Sequence, residues 1–246
     1  MKSVIITGAD RGLGLSLCKE YLARGFTVFA GKFLEDYSLL EELKSQNDNL
    51  HILHLDVSSR ESIASARDEV CAATGGSETF GSLDMLISNA ALMGKVSCSL
   101  YEPPMDLEAV WNSFSVNALG AARMVEYFLP LLDKGKMKRL CFVSSEVSCI
   151  NLMKTSRDGE FPYPMSKSAL NMCVRLMHNQ LHSEGYTFRL YHPGWMKRVM
   201  QDGSRSEWAM YDPDFTANHA AKYFETTLRD EQRLVMFDFL SQEWPF

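Results

Sequence analysis

The sequence predicts an α/β fold, a doubly wound parallel sheet of about seven strands with helices on both faces, on three observations. Short β-branched or apolar runs alternate with segments of helical spacing along the whole chain. A Gly-rich turn joins the first run directly to the first helix, in S-V-I-I-T-G-A-D-R-G-L-G from Ser3 to Gly14. No Pro/Gly/Ser-rich linker interrupts the 246 residues, so a single domain over 1–246 is expected, and 46% hydrophobic content is ample for its core.

Each element has its own local signal. Residues 3–7 are a β-branched strand, and 13–22 have helical spacing. A second strand covers 27–31, a short helix contains 39–43, and the alternating run 51–56 is the third strand. A helix over about 61–73 ends at Gly75-Gly76, and 83–88 is the fourth strand. Residues 106–132 are one long helical segment, with Val110, Phe114, Leu119, Ala122, Val125 and Leu129 at mixed three- and four-residue spacing. The fifth strand, 140–144, precedes a polar loop and a helix over about 163–183. The sixth strand, 188–192, runs into Pro193-Gly194; 195–213 is irregular, 214–229 helical, and 234–237 a last strand. Right-handed crossovers leave the first strand in mid-sheet, with a ligand expected above its carboxyl end.

Composition removes several classes. A formal charge of −6 without a basic stripe argues against a nucleic-acid partner. The apolar start Val4-Ile5-Ile6 stops at Thr7-Gly8 with no cleavage-like site, and no run reaches membrane-spanning length, so a cytoplasmic protein without membrane attachment is expected. The six cysteines (Cys18, Cys71, Cys98, Cys141, Cys149 and Cys173) form no C-x-x-C pair and read as free thiols in a reducing compartment. No metal centre is expected.

Chemistry concentrates at two places. The glycines at 8, 12 and 14 allow an unusual φ, close approach of backbone N–H groups to a phosphate, and tight helix-on-strand packing, while the helix start offers positive partial charge to a pyrophosphate. Tyr163 and Lys167 in Y-P-M-S-K lie at i and i+4, on one face of a helix. An ammonium about 5 Å from a phenolate at an effective dielectric near 20 is worth roughly 3 kcal/mol, enough to bring the phenol about two pKa units below its usual value near 10. That would make Tyr163 a usable acid/base near neutral pH.

With T-G-x-x-x-G-x-G at the start, Val143-Ser144-Ser145 upstream of the Tyr/Lys pair and His192-Pro193-Gly194 downstream, the chain resembles the short-chain dehydrogenase/reductase family along nearly its whole length. Y-P-M-S-K-S-A-L-N followed by H-P-G-W resembles most its carbonyl-reductase-like group, that of C-factor and Sniffer. The resemblance implies that Tyr163 is the general acid/base and that Lys167 lowers its pKa and holds the nicotinamide ribose. It likewise implies that Ser145 stabilises the developing oxyanion and that Asn117 orders a proton-relay water. It places the cofactor on Thr7, Gly8, Arg11, Gly12, Leu13, Gly14, Lys32, Asp56, Val57, Asn89, Tyr163, Lys167, Pro193 and Gly194, with Asp56 reading the adenine. Ala91 and Lys197 depart from the family's usual glycine and threonine, and the Ser145 to Tyr163 gap is longer than usual, by a polar stretch over 151–160.

An acidic residue closes the second strand of NAD-binding units, and here that place holds Lys32, with Arg11 in the glycine turn; NADP(H) is therefore preferred over NAD(H). The expected activity is hydride transfer between nicotinamide and a small-molecule carbonyl or alcohol. A dinucleotide-binding regulatory protein with little turnover is the competing class. Apolar stripes on the helix after Tyr163 (Met165, Ala169, Met172, Leu176; Leu170, Val174, Met177, Leu181) point to a homodimer or homotetramer. Trp195, Met196, Met200, Trp208, Met210 and Tyr211 suit a substrate lid over 195–213, and Lys197, Arg198 and Arg205 a basic rim.

Overall fold

The computed structural model describes residues 1–36, 38–75, 81–94, 104–153, 160–200 and 202–246. Gly76, Cys98 and 154–159 of the long polar loop lie outside them.

The strands are β1 (Ser3–Ile6), β2 (Thr27–Lys32), β3 (Leu50–His54), β4 (Met85–Ser88), β5 (Arg139–Val143), β6 (Thr187–His192), β7 (Met236–Asp238) and β8 (Glu243–Trp244). They form one sheet in the order β3-β2-β1-β4-β5-β6-β7-β8. The first seven run parallel and β8 is antiparallel to β7. The order reverses beside β1, so the carboxyl ends of β1 and β4 part to leave a crevice.

Helices α1 (Gly12–Ala23), α2 (Leu39–Ser45), α3 (Arg60–Thr74), α4 (Leu107–Phe114), α5 (Gly120–Leu132), α6 (Pro162–Leu181) and α7 (Pro213–Glu225) cover the two faces. The period of two along each strand assigns its residues to two cores. Val4, Ile6, Val28, Ala30, Cys141 and Tyr191 pack with Leu13, Leu17, Tyr21, Ala217 and Phe224 of α1 and α7. Ile5, Phe29, Leu86, Phe142 and Leu190 pack with Ile63, Val70, Met124, Phe128, Leu170 and Val174 of α3, α5 and α6. The described cysteines are free, and burial pushes the Cys141 thiol up to about 12, so it stays protonated.

Three differences from the sequence reading have physical causes. The 106–132 helix is interrupted by a π-turn at Ser115–Leu119, where Arg123 Nη1 collects the carbonyl oxygens of Ser115 (3.0 Å) and Val57 (3.4 Å). Helix α7 ends at Glu225 rather than near 229, because the guanidiniums of Arg139 and Arg189 take the carbonyl oxygens of Phe224 and Thr226. An eighth strand, too short to show in the sequence, covers the edge of β7.

Candidate active site

The glycine turn is held from behind by a two-way latch. Thr7 Oγ1 accepts from Asn89 N (3.0 Å) and Ala90 N (2.9 Å), while Asn89 Nδ2 donates to the carbonyl oxygens of Thr7 (2.9 Å) and Gly8 (3.0 Å). Any Cβ at Gly14 would collide with the Gly8 carbonyl oxygen, so only glycine lets α1 start this close to β1. Gly12 has φ +57°, and a Cβ there would meet no atom within 4 Å. Helix α1 therefore begins with bare backbone facing open space, and no side chain caps it. Leu13 is buried beneath the turn.

The residues expected at the adenosine end are more heavily engaged than the sequence implies. Lys32, at the end of β2, pairs with Glu41 Oε1 at 2.5 Å, and that hydrogen bond raises its pKa. Glu35, a closer neighbour in sequence, faces His54 at 3.7 Å instead. Arg11 Nη1 donates to Val199 O at 3.0 Å, tying the glycine turn to the 195–213 segment. The Asp56 carboxylate accepts from the N–H (2.8 Å) and hydroxyl (2.7 Å) of Ser58, and Val57 is buried.

At the same edge of the sheet, β5 delivers Ser144 and Ser145 to a 3₁₀ turn at Glu146–Ser148, facing the first turns of α6. The Ser145 hydroxyl lies beside the Tyr163 phenol and lowers its pKa. Lys167, one helical turn on, is 1% exposed; its Nζ donates to Val143 O at 2.8 Å and stands 5.6 Å from the Tyr163 ring centroid. Asn117 joins from the π-turn: its Oδ1 accepts from Leu92 N (2.7 Å), and its Nδ2 donates to Leu92 O and Ser166 Oγ (2.8 Å each). Ser145, Tyr163, Lys167 and Asn117 thus converge. Pro193 and Gly194 follow β6 on the same edge.

One expectation, the lowered pKa of Tyr163, needs correction. The Tyr163 phenol is not depressed: burial pushes it up to about 12, against a small lowering by Ser145. Burial likewise pulls Lys167 down to about 7. Desolvation disfavours the charged form of both groups and outweighs their mutual attraction, since the ammonium is turned toward the Val143 carbonyl. Both amide protons of Asn117 are engaged by Leu92 and Ser166, so it would order a relay water as an acceptor.

The model of the short chain dehydrogenase family matches residues 2–209. The chain belongs to that family. It is 32% identical over 217 residues to an uncharacterised oxidoreductase of Schizosaccharomyces pombe, covering 87% of this chain and 81% of the relative. It is 38% identical over 120 residues to C-signal of Myxococcus xanthus, covering 49% of this chain and 69% of the relative. Among solved structures, NADPH-bound carbonyl reductase from chicken fatty liver superposes with a TM-score of 0.85 at 24% identity, covering 100% and 99% of the two chains. Carbonyl reductase Sniffer of D. melanogaster does so at 0.84 and 21%, covering all of both.

Within this family framework four contributors escaped the sequence reading. Glu41 engages Lys32; Asn171 and Ser148 hold the turn that carries Ser145; and His192 Nδ1 accepts from Glu146 N at 3.3 Å on the other side of that turn. Asn171 alone left a readable signal, a polar residue between Leu170 and Val174, one helical turn past Lys167. Among the described residues no group of His, Cys, Asp and Glu is arranged to hold a metal, and no helix is long and apolar enough to cross a membrane.

Proposed function

We propose that the protein is an NADP(H)-dependent oxidoreductase acting on a carbonyl/alcohol pair. The observation that carries this reading is the placement of Ser145 and Lys167 around the Tyr163 phenol, with Lys167 Nζ 5.6 Å from the ring centroid, on the same sheet edge as the uncapped start of α1. The open backbone at Gly12 fits a dinucleotide pyrophosphate, with Gly8 and Arg11 flanking it. Asp56 and Val57 would serve its adenine end, and Lys167, Pro193 and Gly194 its nicotinamide end. When bound, the dinucleotide supplies the hydride chemistry.

The protein's own residues handle orientation and the proton. A phenol held at about 12 keeps its proton throughout the physiological range, so Tyr163 always has one to give to a carbonyl oxygen. Its ionised form, needed to accept a proton from an alcohol, is disfavoured by burial, so oxidation of an alcohol calls for higher pH than reduction of a carbonyl. Ser145, beside the phenol, directs a second donor to the same oxygen. Lys167, near 7, exchanges a proton readily at neutral pH beside the ring it must resupply.

The 195–213 segment supports an apolar or aromatic substrate. Trp195, Met200, Trp208 and Met210 are 51, 45, 59 and 70% exposed, with the two indole rings 5.8 Å apart. Met196 and Tyr211 pack inward and pair with each other, so the segment is folded down while its large side chains stay outside. Arg205 is no part of a basic rim, being paired with Asp212 and Asp214.

The test is NADPH consumption over a panel of aldehydes, ketones and quinones. Aromatic and apolar carbonyls should be reduced, and Tyr163→Phe should lose at least about a hundredfold in kcat while binding NADPH normally, as expected for loss of a general acid. Lys32→Ala should abolish the NADPH preference, and Glu41→Gln, which frees Lys32 from an exposed ion pair, should strengthen it by up to about fivefold. Equal or tighter NADH binding by the wild type would refute the cofactor reading. Tight NADPH binding with no turnover of any carbonyl would replace the enzyme reading with a regulatory one.

A further inference from the structure

The residues from Ser144 to Ser148 are gripped from α6 by a buried circuit of hydrogen bonds that the proton chemistry does not use. Ser144, Ser148 and Asn171 are 1, 3 and 4% exposed. The Ser144 hydroxyl donates to Asn171 Oδ1 (2.7 Å), Asn171 Nδ2 donates to Ser148 Oγ (2.7 Å), and Ser148 Oγ donates to the Ser145 carbonyl (2.5 Å). The direction of every bond is fixed by elimination. A carbonyl oxygen only accepts, so the single Ser148 proton belongs to Ser145 O. Ser148 Oγ must then accept, the amide must present its NH₂ there, and its oxygen is left for Ser144. Ser145 O also takes the Ser148 N–H at 3.1 Å, and the Ser168 hydroxyl, again from α6, donates to Ser148 O at 3.1 Å.

We infer that Asn171 is a positioning residue that sets Ser145 against Tyr163, an inference resting on the roles proposed above for those two groups. Tyr163, Lys167 and Asn171 are successive i+4 positions on one helix face, so the element that holds the proton donor also holds the carbonyl of its partner serine. With its backbone oxygen doubly bonded and its Oγ accepting from Val147 N at 3.4 Å, Ser145 keeps its hydroxyl proton for the phenol side, where it lowers the pKa of Tyr163. Stability does not require this design, because apolar groups of the same shape in place of a satisfied buried polar pair are often neutral. What the polar circuit adds is a fixed direction and distance, and misplacement by about 1 Å can cost a reacting group about a hundredfold.

Asn171→Leu keeps volume but breaks the circuit, and Ser144 Oγ and Ser148 Oγ, already 3.3 Å apart, can then satisfy each other. Asn171→Asp keeps shape and still accepts from Ser144, but it cannot donate; it draws the Ser148 proton away from Ser145 O. Both variants should lose roughly 10- to 100-fold in kcat, with NADPH affinity within twofold of wild type. In a Ser145→Ala background the same substitutions should cost less than threefold, because they act through Ser145. Independently of turnover, the ¹³Cζ resonance of Tyr163, assigned by its absence in Tyr163→Phe, should move in Asn171→Leu as it moves in Ser145→Ala. Wild-type kcat in both Asn171 variants, equal losses in the two backgrounds, an unmoved Tyr163 resonance, or failure of both variants to fold would each overturn the inference. A wild type that reduces no carbonyl would refute the proposed function instead, leaving the resonance to decide on Asn171.

Discussion

His192 shows how one side chain couples the site to the stability of the fold. It is buried at the end of β6, its Nδ1 accepts from Glu146 N, and its ring meets the edge of Trp244 at 5.3 Å between centroids. Burial pulls it down to about 4, with Asp238 opposing. The folded protein therefore binds this proton only below about 4, whereas the unfolded chain binds it below about 6.5. Between those values the unfolded state holds more protons, so stability falls with decreasing pH across that window and the contribution levels off beneath it. The difference from 6.5 to about 4 corresponds to about 3 kcal/mol at most. His192→Asn retains an acceptor for Glu146 N but cannot titrate. Urea denaturation at pH 7.5 and 4.5 should show wild type losing about 2–3 kcal/mol more than the variant, a comparison in which the carboxylates cancel. Equal losses would show that His192 is not the group responsible.

At the scale of elements, what the sequence disclosed was local and what it concealed was tertiary. The strand, turn and helix around Gly8 to Gly14 were legible because steric demand and periodicity lie within twelve residues, and the Tyr163/Lys167 pair because i+4 spacing fixes a shared face. The π-turn was not, since mixed three- and four-residue spacing also suits an unbroken helix; its cause is contact of Asn117 and Arg123 with Leu92, Ser166 and Val57. The state of Tyr163 was misjudged for the same reason, because burial is set by packing that spacing cannot show. Arg189 is the plainest hidden element contact. Wholly buried on β6, it forms a two-pronged pair with Glu231 at 2.7 Å on each prong, donates to Thr226 O and lies 5.7 Å from the Tyr223 ring centroid. It thereby fastens the chain beyond α7 to the sheet. Glu231→Ala leaves a guanidinium buried without its counter-charge and should cost about 3 kcal/mol, the lower end of the usual range because Glu231 is 24% exposed. Replacing both partners, Arg189→Met with Glu231→Leu, should recover most of it. A loss under about 1 kcal/mol in the single variant, read by urea denaturation, would contradict this account.

For the whole molecule the open question is what covers α4 and α6, which pack against each other while both present large apolar side chains outward. Leu107 and Trp111 of α4 are 67 and 64% exposed, and Met165, Met172 and Leu176 of α6 are 44, 62 and 60% exposed. Of the two stripes expected on α6, Leu170 and Val174 are buried within the chain, so intramolecular packing accounts for one stripe and leaves the other in solvent. Scattered apolar residues need no explanation, but five on two adjoining helices are what an association surface would present. Full burial of each is worth about 1.5–3 kcal/mol, and even partial burial of five offsets a substantial share of the cost of association. A two-fold contact across these helices is the simplest way for one surface to cover itself. A homodimer is therefore expected by light scattering at micromolar concentration. Trp111→Glu, which puts a charge at a self-facing position, should give a monomer that binds NADPH within about twofold of wild type, since Trp111 is exposed on α4 and makes no ring contact among the described residues. A wild-type protein that stays monomeric under those conditions would show that the exposed face serves no self-association, and a Trp111→Glu protein that stays dimeric would place the contact elsewhere.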